Sequence, residues 1–181
     1  MTNLRELSKI MNPKTVFTRK CIGEAILALM KEHGFHKLTI TSVVKKAGIA
    51  RMTFYLHYTS LSESLTDYLH IIVGEFEELI RRDWKDGNLR DYSHILSALN
   101  FFDQYREYFI TLSKNGLYQI MLDGINRFME NYFTRGDNGS VFDMYCYSGG
   151  LLNAFLKWQE GGKKESAEEV AGTIYRLYQA Q

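Results

Sequence analysis

Between Gly48 and Tyr58, an arginine, a methionine and a tyrosine are spaced so that one surface can carry all three. If Phe54 and Tyr58 turn inward as apolar anchors, Arg51, Met52, Tyr55 and Leu56 must turn outward, with Thr53 and His57 at the edges. An outward guanidinium can bond both acceptors on the major-groove edge of guanine, and Met52 or Tyr55 can pack on a thymine methyl. That chemistry is recognition rather than turnover.

The elements that must hold this surface are written in Thr39 to Tyr58, TITSVVKKAGIARMTFYLHY. Ile40, Val43, Val44 and Ala47 recur at helical spacing, Gly48 breaks the helix, and Ile49, Phe54 and Tyr58 supply the apolar side of a second helix. Gly48 falls where the first helix should end in a left-handed residue, a conformation glycine enters without a Cβ penalty. The pattern is a helix-turn-helix over about residues 39–58, and its outward face is the one that would enter a major groove.

AGIARMTFYLHY resembles the signature of TetR/AcrR-family transcriptional regulators, A-G-[VI]-S-[RK]-G-T-[FL]-Y-x-H-F, in its glycine, its T-F-Y triplet and its histidine. Ile22 to Phe35 is similar to the first helix of that family, and Ser60 begins what would be the fourth. The resemblance implies an all-α, TetR-like fold of about nine helices: a three-helix DNA-binding domain at 1–60, then a helical effector-binding and dimerisation domain at 61–181. It implies a homodimer acting on double-stranded DNA at a palindromic operator, as a ligand-responsive repressor. By resemblance and outward geometry together, Thr41, Arg51, Met52 and Tyr55 approach base edges. By resemblance, Thr39, Ser42, Thr53, His57 and the Tyr55 hydroxyl hold phosphates, with Lys14 or Lys20 in support. Three residues depart from the family pattern. Ala50 removes a side-chain helix cap, Met52 places an apolar group where a small residue is usual, and Leu61 stands where a phosphate-contacting lysine is common.

Charge agrees with a polyanionic partner. Through Ser60 there are ten Lys and Arg against three Asp and Glu, a net of +7; the rest carries 22 − 10 = 12 basic and 21 − 3 = 18 acidic residues, a net of −6. The overall charge of +1 therefore conceals a basic end and an acidic body.

With 181 residues, 45% of them apolar, the chain can bury a core of one or two domains. The longest apolar run, Ala25 to Met30, is far too short to span a membrane, and the polar amino terminus has no signal-peptide core, so a cytoplasmic, non-membrane protein is expected. Cys21 and Cys146 suit a reducing compartment as small core residues. His33 and His36 are separated by Gly34 and no cysteine or acid cluster joins them, so no metal site is expected. No phosphate-binding loop, nucleophile elbow or zinc-protease motif is present, and His57 has only Glu63 as a nearby acid. No enzyme, catalytic residue or cofactor is therefore expected.

Helix signals run the length of the chain. Asn12 caps and Pro13 opens a helix ending at about His33 before Gly34. Ser60-Leu61-Ser62-Glu63 reads as a capping box opening a helix from Leu61 to about Trp84, and Ser166-Ala167-Glu168-Glu169 reads as another. A turn is expected at Asp86-Gly87-Asn88, a cap at Asp91, a break at Gly116, a loop from Thr134 to Ser140, and a stop at Gly161-Gly162.

Two stripes late in the chain carry an assembly signal: Tyr145, Gly149, Leu152 and Leu156, then Val170, Ile174, Leu177 and Tyr178. With Trp158 they resemble the helix pair through which TetR-type subunits dimerise. The middle of the body is rich in aromatic residues and methionine. The resemblance implies an effector pocket there, with Tyr68, Ile72, Phe101, Tyr105, Tyr118, Met121 and Tyr147 as candidate lining and a small apolar or aromatic effector. A different class stays open beside the repressor: a TetR-like protein-interaction adaptor or coactivator that does not repress through an operator.

Overall fold

The computed structural model describes residues 12–83, 89–133 and 140–179. The expected turn at Asp86–Asn88, most of the Thr134–Ser140 loop and the basic residues before Asn12 lie outside them. Nine α-helices and a 3-10 turn make up the regular structure among the described residues: α1 Pro13–His33, the turn Phe35–Lys37, α2 Ile40–Ala47, α3 Arg51–Tyr55, α4 Leu61–Asp83, α5 Tyr92–Gln104, α6 Arg106–Lys114, α7 Tyr118–Phe133, α8 Val141–Glu160 and α9 Ala167–Gln179.

The helix ends follow local chemistry. The Asn12 side chain accepts from the Lys14 N–H at 3.0 Å, Pro13 takes the first turn, where its missing N–H leaves nothing unpaired, and Gly34 closes α1 at φ 77°. Ser166 and Glu169 cap reciprocally, at 3.2 Å and 2.7 Å. At α4 the box is shifted. Ser60 Oγ accepts from the Glu63 N–H at 3.1 Å, while Glu63 reaches past Ser60 to the Thr59 N–H and hydroxyl, both at 2.7 Å. These bonds hold the Glu63 carboxyl below its ordinary range. Asp91 occupies the cap position of α5 without a side-chain cap bond, whereas Ser140 and Asp143 form a capping box on α8 that the sequence reading did not single out.

Two compact units divide the chain, Met1–Ile71 and Ile72–Gln181, with the division inside α4. In the first unit α2 packs on α1 and α3 on α2, around Ile22, Ile26, Val43, Phe54, Leu65 and Leu69, all fully buried. Close approach at α1 requires glycine, because a Cβ on Gly23 would stand 2.7 Å from Tyr68 Cδ1 and 2.8 Å from its Cβ. In the second unit α7 packs on α8, α6 against both, and α9 chiefly on α5. Its core is aromatic: Phe102, Phe109 and Phe155 meet with ring centroids 5.0 to 5.6 Å apart.

Candidate nucleic-acid interface

The recognition surface is built from its anchors outward. Phe54 is fully buried and Tyr58 is 4% exposed, their rings edge to face at 5.6 Å. The Tyr58 hydroxyl donates to Asp67 at 2.6 Å and accepts from Arg19 Nε at 3.3 Å, and Arg19 is ion-paired to the same carboxylate. Burial, then the bond to Asp67, pushes the Tyr58 phenol up, so it stays protonated and keeps donating. One partly buried network thus ties α1, Tyr58 just beyond α3, and α4 within the first unit. Sequence reading missed Arg19 and Asp67 because their spacing in the chain has no local signature.

With the anchors fixed, the remaining side chains of α3 have one direction left. Met52 is 72% exposed and Leu56 75%; Arg51 and Tyr55 are also exposed, and Thr53 and His57 are half-buried at the margins. The Arg51 guanidinium donates to the Tyr55 hydroxyl at 3.1 Å and lies 5.5 Å from the centre of its ring. Residue 51 is therefore held one turn above residue 55 instead of ranging freely. The turn before α3 rests on Gly48, left-handed at φ 68° and ψ 31°, where space is open and only the backbone demands glycine. As expected from Ala50, α3 starts without a side-chain cap.

On α2, Thr39 and Ser42 cap each other. Thr39 Oγ1 accepts from the Ser42 N–H at 3.1 Å, and the Ser42 hydroxyl donates to the Thr39 carbonyl at 2.8 Å. Thr41 is exposed and Ser42 half-buried, both at the helix start, where backbone N–H groups point outward. Lys45 and Lys46 are exposed in the last turn, Lys46 lying 3.9 Å from Glu32. His33 and His36 are exposed, and no group of three or more metal-binding side chains occurs among the described residues.

The candidate effector residues are not brought together as a set. Ile72, Phe101 and Tyr147 line one small cavity of the second unit with Phe76, His94 and Phe128. At ≈ 20 Å³ it has room for about one water. Tyr68 instead packs on Gly23 in the first unit, and Tyr105 donates to Glu75. Tyr118 and Met121 are outside the cavity lining. The Tyr147 hydroxyl donates to the Leu89 carbonyl at 2.7 Å. His94 is 4% exposed, and burial lowers its pKa to about 4, so its ring is neutral near pH 7. The sequence held a signal for it: His94, Ala98, Phe101 and Tyr105 share one helical stripe.

The two assembly stripes split by exposure. Leu152, Leu156 and Ile174 are buried within the chain itself; Tyr145 and Leu177 are exposed, and Gly149, Val170 and Tyr178 are half-buried. Trp158 is core, donating from Nε1 to the Glu165 carbonyl at 2.8 Å. Cys146 is exposed and Cys21 half-buried, so neither is the fully buried core residue expected.

Among the described residues the fold is all-helical, with a helix-turn-helix in the first unit and a second helical unit. The profile of the bacterial regulatory proteins, tetR family, matches residues 22–61. The HTH-type dhaKLM operon transcriptional activator DhaS of Lactococcus lactis subsp. lactis (strain IL1403) is 31% identical over 67 residues, 37% of this chain; the match spans only 34% of that protein's length. Among solved structures, the fatty acid degradation regulator FadR of Bacillus halodurans matches at TM-score 0.60 and 15% identity over 87% of this chain and 95% of its own. FadR of Bacillus subtilis, solved with stearoyl-CoA, matches at TM-score 0.56 and 15% identity over the same shares. Residues 22–61 are thus similar to the DNA-binding segment of tetR-family regulatory proteins, and the described fold is similar to that of the FadR structures. No helix among the described residues is long and apolar enough to cross a membrane.

Proposed function

We propose that the chain is a ligand-responsive repressor that acts as a homodimer on a palindromic operator. The observation that carries this reading is the α3 face. Arg51, Met52, Tyr55 and Leu56 stand exposed on a segment locked from behind by Phe54, Tyr58 and Asp67. Arg51 bonds guanine, Met52 or Tyr55 packs on thymine methyls, and Thr41 reaches a base edge from α2. Thr39, Ser42, Thr53 and His57 hold phosphates. Dimerisation uses the outer faces of α8 and α9, with Tyr145, Gly149 and Leu177 at the seam, since the apolar side chains left exposed there call for cover. An apolar or aromatic effector acts through the second unit, and a tenfold change in operator affinity requires about 1.4 kcal/mol of preference for one arrangement.

Footprinting on the DNA flanking its own gene, with a salt titration, tests the proposal. A protected palindrome and a steep fall of affinity with salt are expected. The alternative, an adaptor that binds another regulator, is favoured by the uncapped start of α3 and by Leu61 in place of a basic residue. Salt-insensitive binding without a footprint selects it.

A further inference from the structure

The small cavity and an open groove on the second unit share one lining residue, Phe101. The groove, ≈ 540 Å³, is lined by Glu75, Glu78, Leu79, Arg81, Arg82 and Gln104 as well as Phe101. Phe101 meets Phe76, a cavity-lining ring, at 4.9 Å, and Tyr105 at 5.2 Å. Tyr105, the residue after α5, is itself fastened, its hydroxyl donating to the Glu75 carboxylate on α4. The Phe101 ring, 5% exposed, thus borders both the groove and a pocket otherwise walled by Phe, Ile, Val, Met, Leu and Ala side chains, with His94 and Tyr147 as its polar members.

We propose that Phe101 is the door to this cavity, latched by the Tyr105–Glu75 bond, and that the site takes an elongated, uncharged aromatic molecule. The ligand's apolar body displaces the Phe101 ring and its polar end remains by Gln104 in the groove. The charge assignment follows from both halves of the site. The groove's two arginines and two glutamates balance, with Glu75 held by Tyr105 and Arg81 3.8 Å from Glu78, so no net field there selects an ion. The cavity offers a charged group no ionised partner, and burying a bare charge is costly. Aromatic walls favour a ring, which can take the offset and edge-to-face places that Phe101 leaves.

This inference rests on the effector reading above, and the experiment separates the two. N-phenyl-1-naphthylamine, which is uncharged, and its sulfonated relative 1-anilinonaphthalene-8-sulfonate are mixed in stopped flow with the full protein and with Tyr105→Phe, Phe101→Leu and Phe109→Leu. Tyr105→Phe should speed entry of the uncharged probe about tenfold, the effect of losing one charge-assisted hydrogen bond on an opening equilibrium. Phe101→Leu should speed it as well. Phe109→Leu, which enlarges the cavity away from the groove, should alter affinity without matching that acceleration. The sulfonate should bind more weakly throughout. Entry rates equal to the parent in both door variants, equal acceleration in Phe109→Leu, tighter binding of the sulfonate, or no binding of the uncharged probe would each overturn the proposal. Operator binding without probe reports on the regulator reading alone.

Discussion

Lowering the pH from 7.5 to 5 should destabilise the second unit through a single side chain, His94. It is 4% exposed in an apolar cavity whose only other ionisable lining group is Tyr147. Burial depresses its pKa from 6.5 to about 4. The unfolded chain therefore takes up a proton near pH 6.5 while the folded one resists until about 4. The stability that the neutral ring contributes is fully present above 6.5 and is lost as pH falls through that window. The ceiling is about 2.5 pH units at 1.36 kcal/mol each, roughly 3 kcal/mol, and linkage gives about 2 kcal/mol at pH 5. The Asp103 carboxyl should not blur the window. Burial alone would raise it, but bonds from Lys163 and Gln159 hold it below its ordinary range and so ionised at pH 5. The assay is urea unfolding followed by tryptophan fluorescence at pH 7.5, 6.5, 5.5 and 5, for the parent and His94→Gln. The parent should lose about 2 kcal/mol more than the variant across that range. Parallel stability curves would mean that His94 is not held neutral by burial.

Arg51→Ala should weaken operator binding by roughly 1–3 kcal/mol and relax preference at one base pair, checked by binding to a library of single-base operator variants. Gly23→Ala should cost the first unit about 1–3 kcal/mol in thermal unfolding, because its Cβ would overlap the Tyr68 ring, 2.7 Å from Cδ1, and α1 or that ring would have to shift. Gly149→Leu should lower dimer content in light scattering while leaving the monomer folded, since a Cβ there meets nothing within 4 Å inside the chain. A monomeric parent would remove the palindrome with it.

Local chemistry made most of the fold legible before any coordinates. Asn12, Pro13, Gly34, Gly48 and Gly116 act on their own neighbours, and each sits at the break it announced. The outward set on α3 was readable because Phe54 and Tyr58 leave no other orientation. Pairings over distance were less readable. Periodicity marks Leu152, Leu156 and Ile174 as a buried stripe, but the same stripe fits a partner subunit or the chain's own core, and here the chain covers them itself. Tyr68 lies on α4, and its ring packs where Gly23 has no Cβ, a close approach that helical spacing alone does not announce. Arg19 and Asp67 carry no pattern of their own.

Division of labour within α3 bears on how such a protein can change its target. Five residues make a helix too short to stand by intrinsic propensity, and this one lacks a side-chain cap. Its conformation is imposed from behind by Phe54, Tyr58 and the turn at Gly48. The outward side chains therefore contribute almost nothing to whether the segment forms. Positions 51, 52, 55 and 56 behave like type set in a fixed frame, open to exchange at small cost in folding. New operator preferences can accumulate there one substitution at a time, without passing through an unfolded ancestor.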